Sequence, residues 1–152
     1  LLAAVKDGRI DVLATDHAPH LLSEKGAKYD KAAAGLPLVQ FALPLVLERY
    51  FDGAFDLPLI VEKCAHNPAR LFGVRNRGFL REGFQADLVL IDLDRENLVR
   101  REDIINRCGW SPFEGDRFRS TVSATWVNGH LVYRDGQLDD HLLGQRLEFE
   151  RP

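Results

Sequence analysis

The sequence predicts an α/β protein in two parts, and three patterns support this prediction. The chain opens in a helix-like pattern that leads directly into the apolar run Val12–Thr15, the helix-to-strand step of a parallel sheet or barrel. Residues 36–73 then have the character of consecutive helices, rich in leucine, valine and alanine. From Val74 onward, glycines punctuate short apolar runs, which is typical of β structure.

The first helix and strand lead to a group of polar side chains. Gly8 ends the helix, and Val12–Thr15 is apolar enough to form a strand that is covered on both faces. Asp16 follows at the carboxyl end of this strand, where α/β sheets and barrels carry their chemistry. Pro19 forces the chain out of the sheet, so that His20 stands on a loop. These residues make a candidate metal or acid–base site. The alternative is that Asp16 caps a local turn and that the two histidines are solvated loop residues.

A polar loop over residues 21–34 follows and is long for a connection in an α/β fold. Such a loop above a strand end often covers a substrate, whereas the simpler interpretation is a surface excursion. It leads into the small residues Ala34 and Gly35, followed by Pro37. Small side chains let backbone N–H and C=O groups approach a ligand closely, but the same residues could begin a helix with Pro37 in its first turn. The residues alone leave both alternatives open.

Three helices are expected in the next segment. Residues 36–50 form a largely buried helix, in which Pro44 marks a kink or a restart. A second helix starts after Asp56, which is a suitable N-cap. Asn67 then provides an N-cap for a short third helix that ends at Gly73.

The second half of the chain is predicted to be a small β module. Its strongest strand covers residues 86–92. Residues 122–127 alternate between apolar and polar side chains, Asn128–Gly129 is a two-residue hairpin signal, and residues 131–133 pair back. The last residues, 139–152, have the composition of a polar tail.

Composition excludes several classes of protein. The 152 residues are 45% hydrophobic and 28% charged, and the net charge of -3 offers no basic surface for nucleic acid. No apolar run approaches the ~20 residues that span a bilayer, and no signal peptide is recognisable, so we expect a cytoplasmic protein. The two cysteines form neither a zinc motif nor a disulfide framework. The chain lacks methionine and begins inside a helix-like pattern, so we expect it to be the C-terminal portion of a longer protein.

Thr15–His20, followed by Ala34–Gly35, resembles the last barrel strand and substrate loop of dihydroorotases of the class I bacterial type, which are cyclic amidohydrolases. Further motifs are similar to the region where those chains leave the barrel: Asn67–Gly73, Arg77–Gly78, Glu82–Val89, Cys108–Gly115 and Thr125–Gly129. The resemblance implies the C-terminal part of a metal-dependent hydrolase (β/α)8 barrel in residues 1–73. It further implies that residues 74–152 form a β module that completes a small sandwich domain, plus a tail.

This resemblance also implies an activity, the reversible cyclisation of N-carbamoyl-L-aspartate to L-dihydroorotate in pyrimidine biosynthesis. Two zinc ions would activate the hydroxide that attacks the ring amide. Asp16 would ligate one metal and carry a proton from the hydroxide to the leaving nitrogen. His20 would bind the substrate carboxylate, and the backbone at Ala34 and Gly35 would hold the ring amide. The resemblance gives no catalytic role to His17, for which a structural part is expected.

Most ligands of the zinc pair would then lie upstream of Leu1, so we expect that this chain alone neither holds two metals nor turns over dihydroorotate. The apolar helix faces would be covered by the missing part, by a partner or by self-association. Two alternatives stay open: a related enzyme acting on hydantoins, dihydropyrimidines or allantoin, and a non-catalytic dihydroorotase-like scaffold subunit. His20 favours dihydroorotase, because a substrate carboxylate requires a cationic or donor side chain.

Overall fold

The computed structural model of the chain describes residues 1–141 and 144–150, and it is helical in its first half and antiparallel β in its second. The α-helices are α1 (Leu2–Lys6), α2 (Leu22–Lys25), α3 (Ala42–Phe51), α4 (Leu57–Val61) and α5 (Asn67–Leu71). The strands are β1 (Leu88–Asp92), β2 (Asn97–Leu98), β3 (Arg117–Phe118), β4 (Thr121–Val127), β5 (His130–Arg134) and β6 (Gln137–Leu138).

The run predicted as a buried parallel strand is an extended segment without a sheet. Its end forms a single parallel bridge, between His17 and Leu36. Farther back, the Leu13 N–H donates to the carbonyl oxygen of Lys63 at 3.1 Å. A strand forms where a neighbouring strand supplies a series of complementary backbone groups, and the described part of the chain places no strand beside residues 12–15. The apolar pattern therefore identified the extended conformation but not a pairing partner.

The helix predicted over residues 36–50 begins later than expected. A 3₁₀ turn over Val39–Phe41 precedes α3, which starts at Ala42. Pro44 consequently lies in the first turn of α3, where a backbone N–H has no partner within the helix. A kink or a restart of the helix, as predicted at Pro44, is therefore not needed to accommodate this proline.

Helix α4 continues through a π-helical turn over Glu62–His66 into α5. The predicted N-cap at Asp56 is confirmed, since its Oδ1 accepts the N–H three residues later at 2.8 Å. The predicted N-cap at Asn67 is wrong, because this residue has helical dihedral angles, φ -68° and ψ -40°. Its side-chain amide instead donates to the carbonyl oxygen of Asp11 at 2.9 Å. This bond ties the helical segment to the start of the extended run.

The β module has one antiparallel sheet in the order β1-β4-β5-β6 and a separate pair, β2 and β3. The predicted hairpin between β4 and β5 is confirmed. Asn128 and Gly129 form its turn with φ values of 53° and 80°. Two positive φ values are what a two-residue hairpin turn requires, and asparagine and glycine adopt them most readily.

The C-terminal segment, predicted as a polar tail, returns to the end of α5. Val74 and Phe149 form an antiparallel bridge, and the Glu150 N–H donates to the Gly73 carbonyl oxygen at 2.7 Å. A Cβ atom on Gly73 would lie 2.9 Å from the Glu150 carbonyl oxygen, so this approach requires glycine. Residues 142, 143, 151 and 152 of the predicted tail lie outside the described residues.

Two apolar clusters join the helical half to the β module. The larger surrounds Leu47 and Ile60 and includes Ile91 from β1. In the smaller cluster the rings of Phe41 and Phe118 stack with centroids 5.9 Å apart. Its buried members are Phe41, Val99 and Phe118. Both clusters contain side chains from either side of residue 73, and the predicted domain division there stays a prediction.

The end of α3 is held to the β module by Arg119. Its Nε donates to Glu48 Oε2 at 2.7 Å, and its Nη2 donates to Asp52 Oδ1 at 2.6 Å. The hydrogen bond from Arg119 holds the pKa of the Asp52 carboxyl below its usual value, and the same bond raises the pKa of Arg119. Ionised Asp52 is thus part of the contact between the two halves.

We expect this contact to make stability depend on pH in the acid range. A carboxyl whose pKa is lower in the folded state contributes stability above its unfolded pKa of 3.8, and this contribution is lost as the pH falls through the folded value. Asp52→Asn should therefore lower the urea midpoint at pH 7, and the difference from the parent should shrink below about pH 4. Asp30→Asn, an exposed carboxylate in the 21–34 loop, is the control. A pH-independent difference would contradict this assignment.

Candidate active site

Asp16 is exposed at the end of the extended run and has a left-handed backbone, φ 47°. Aspartate is one of the few residues other than glycine that adopt this conformation readily. Within residues 1–141 and 144–150 its carboxylate makes no hydrogen bond and no ion pair. The alternative that Asp16 caps a local turn is therefore not what the structure shows. The turn presents an ionisable group that is not engaged by its surroundings.

His17 and Ala18 join the end of the extended run to residues 36–39. The Ala18 N–H donates to the Leu36 carbonyl oxygen at 3.2 Å. The Val39 N–H donates to His17 Nδ1, also at 3.2 Å. One ring nitrogen of His17 is thus used to hold the start of the 3₁₀ turn, which agrees with the structural part expected for this residue.

His20 is half-buried and is contacted at both its backbone and its ring. Its carbonyl oxygen accepts the indole N–H of Trp110 at 2.8 Å. Its Nδ1 lies 3.6 Å from Glu24 Oε2, which also accepts the N–H of Leu21 at 2.7 Å. Glu24 therefore fixes the first turn of α2 and faces the imidazole with the same oxygen.

Ala34 and Gly35 lie beside the end of the extended run. Lys25 Nζ, at the end of α2, donates to the carbonyl oxygens of Ala33 at 2.6 Å and Gly35 at 3.1 Å. Gly35 has a φ of 111°, and a Cβ atom there would lie 2.6 Å from both the Cβ and the carbonyl oxygen of Ala18. Glycine is thus required by packing against Ala18, whatever else this backbone binds.

Three residues that shape this site were given no role by the sequence: Glu24, Lys25 and Trp110. Glu24 and Lys25 lie in a loop with many polar side chains, and nothing in the local sequence distinguishes these two from the others. A glutamate three residues after the N-cap position was the available signal for α2. Trp110 lies in the Cys108–Gly115 motif, but its contact with His20 spans 90 residues and no local pattern predicts it.

No three metal-ligating side chains lie close enough together in the described ranges to hold an ion. A protein zinc site uses three or four such ligands, so these residues fit only part of one. One open concavity lies along α4 and α5 and another beside the β4–β5 hairpin, and neither is lined by Asp16 or His20. No helix in the described part of the chain has the length and apolarity to cross a membrane.

Several curated proteins named dihydroorotase are similar to this chain. The protein from Pyrococcus furiosus is 36% identical over 139 residues, which is 91% of this chain and 32% of that protein. The Halobacterium salinarum protein is 43% identical over 115 residues, 76% of this chain and 27% of its own length. The protein from Acetivibrio thermocellus is 37% identical over 136 residues. The chain thus spans about a third of the length of these relatives.

Solved structures of hydantoinases share this fold. The L-hydantoinase (dihydropyrimidinase) from Arthrobacter aurescens superposes with a TM-score of 0.87 at 29% identity, over 96% of this chain and 34% of that one. The D-hydantoinase (dihydropyrimidinase) from Thermus sp. gives a TM-score of 0.80 at 24% identity, over 95% and 32%. The predicted fold class, part of a metal-dependent hydrolase (β/α)8 barrel, is confirmed. Residues 1–132 match the amidohydrolase family, and the chain belongs to it.

Proposed function

We propose that this chain is the C-terminal portion of a dihydroorotase, which interconverts N-carbamoyl-L-aspartate and L-dihydroorotate. One observation carries the proposal. Asp16 stands at the end of the extended run with a carboxylate that no described residue engages, Leu36 is paired with the adjacent His17, and His20 lies four residues on. Identity of 34–43% to proteins named dihydroorotase supports the same substrate.

His20 would bind the carboxylate of the substrate. Its Nδ1 faces Glu24, which leaves Nε2 as the ring nitrogen directed at a ligand. An N–H on this nitrogen can donate a hydrogen bond to a substrate carboxylate. The N–H groups of Ala34 and Gly35, which donate no backbone hydrogen bond within the described residues, are available to the ring amide.

Asp16 would move the proton of the reaction. In the hydrolytic direction its carboxylate accepts a proton from the attacking water and delivers it to the ring nitrogen that leaves. This work needs an oxygen that is not engaged by a lysine or arginine, since such a partner would oppose protonation. The exposed carboxylate of Asp16 meets this requirement.

In the complete enzyme, the Asp16 carboxylate is the group of this chain that would ligate zinc. The remaining ligands of two zinc ions would have to lie outside it, because the described residues offer too few. Bound zinc acts as a Lewis acid in such sites. The inactivity expected of this chain by itself remains a prediction.

A related substrate is the second candidate. The 29% identity to an L-hydantoinase (dihydropyrimidinase) favours a cyclic amide without a carboxylate. The higher identity to dihydroorotases favours dihydroorotase activity. The non-catalytic scaffold subunit also stays an alternative. The cytoplasmic location stays a prediction. So does an association, with itself or with a partner, that covers exposed side chains such as Leu71 and Phe72.

His20→Ala tests the proposal in the complete zinc-loaded enzyme. Loss of a hydrogen bond to a charged group costs about 1.5–3 kcal/mol, so KM for dihydroorotate should rise about 10- to 150-fold while bound zinc stays unchanged. Steady-state kinetics and elemental analysis measure the two quantities. His130→Ala, an exposed histidine on β5, is the control. An unchanged KM would remove the role given to His20, and a parent enzyme that hydrolyses hydantoins but not dihydroorotate would overturn the proposal.

A further inference from the structure

The loop between β2 and β3 reaches the substrate side of the helical half through one side chain. The indole N–H of Trp110 donates to the carbonyl oxygen of His20 at 2.8 Å, and Trp110 is half-buried there. The bond closes a 90-residue loop of chain between the β module and the turn that follows Pro19.

Trp110 is itself held firmly by its own loop. Asn106 Nδ2 donates to the Trp110 carbonyl oxygen at 2.9 Å, while Asn106 Oδ1 accepts the Gly109 N–H at 3.0 Å. One amide side chain therefore fixes both ends of the turn that leads to the indole. A donor with this support is aimed before any ligand arrives, which keeps the entropic cost of holding His20 small.

The same loop is also anchored to the 3₁₀ turn that precedes α3. Gln40 Nε2 donates to the Asp103 carbonyl oxygen at 2.6 Å, and its Oε1 accepts the Ile105 N–H at 3.1 Å. Gln40 follows Val39, whose N–H reaches His17. The loop between β2 and β3 thus contacts the site region at two separate places, at Gln40 and at His20.

We propose that Trp110 is a positioning residue that fixes the backbone at His20, so that the β module sets how tightly the substrate carboxylate is bound. This inference rests on the proposed function. The indole does not touch the substrate. It holds the main chain of a residue whose ring lies 3.6 Å from Glu24 Oε2, so that the indole bond is the hydrogen bond that fixes His20. Freeing the main chain would let the imidazole move away from its productive place.

Trp110→Phe in the complete enzyme tests this, because phenylalanine keeps an aromatic ring while the smaller side chain lacks the N–H donor. We expect KM for dihydroorotate to rise about 2- to 10-fold with kcat unchanged, the effect of losing one neutral hydrogen bond. In the His20→Ala background the same change should leave KM unaltered, because the residue being positioned is gone. A merely structural role would lower activity equally in both backgrounds.

Trp126→Phe is the matched control, since it changes the other tryptophan, on β4. Should Trp110→Phe fail to fold, Asn106→Ala loosens the same loop and should raise KM in the same direction. An unchanged KM in a folded variant would overturn the inference. If the parent enzyme does not act on dihydroorotate, the proposed function fails first. The imidazole NMR signal of His20 then decides, with a shift in Trp110→Phe supporting the contact and an identical signal refuting it.

Discussion

Asp16→Asn is expected to lower kcat for dihydroorotate by about 10²- to 10⁴-fold, the usual contribution of a positioned acid–base group. Asparagine is nearly isosteric with aspartate and adopts the left-handed backbone equally well, so the turn at φ 47° should persist. No described residue depends on this carboxylate for a hydrogen bond, and the melting temperature should therefore change little. What is lost is the ability to accept a proton, together with the negative charge of the proposed zinc ligand.

The measurement is the steady-state rate at saturating substrate, with bound zinc determined on the same sample. Excess zinc in the assay separates loss of a ligand from loss of the proton carrier. Asp11→Asn is the control, because Asp11 is an exposed aspartate at the start of the same extended run, engaged through its main-chain oxygen. A variant that keeps a third or more of the parent rate with zinc bound would show that Asp16 is not the proton carrier.

Gly35→Ala should be the second most damaging change. An alanine at φ 111° is strained, and its Cβ would meet the Cβ and the carbonyl oxygen of Ala18 at 2.6 Å. Strain of about 1–3 kcal/mol must be relieved by moving the 34–36 backbone away from the site, which corresponds to a fall of about 5- to 150-fold in kcat/KM.

The chain offers a well-matched comparison for that variant. Gly26 lies at the end of α2, has no positive φ, and a Cβ there would be 3.7 Å from its nearest neighbours. Gly26→Ala should therefore leave kcat/KM within about twofold of the parent. Equal effects of the two substitutions, measured with dihydroorotate in the complete enzyme, would show that the close approach to Ala18 does not shape the site.

Features that depend on a few neighbouring residues could be predicted from the sequence. The Asp56 N-cap and the Asn128–Gly129 turn follow from local chemistry, and both are present. The carboxylate after the apolar run was recognised for the same reason. Its catalytic and metal-binding roles stay predictions.

Features that depend on distant residues could not be predicted. Val12–Thr15 has the composition of a strand, yet pairing requires a neighbour that no pattern within the run specifies. Asn67 has the composition of an N-cap, but its amide reaches Asp11 and the helix continues through it. The contact between Trp110 and His20 likewise arises from the packing of the two halves. In each case tertiary structure decided between options that were locally equivalent.

The pairing of the C-terminal segment with Gly73 and Val74 constrains how this part of the protein can change over time. The bridge at Phe149 and the bond from Glu150 use main-chain atoms, which every residue other than proline provides alike. Amino-acid replacements in the segment should consequently be accepted freely in evolution. Insertions or deletions between β6 and Phe149 would shift the register of the pairing, so natural variants should preserve the number of residues here more faithfully than their identity.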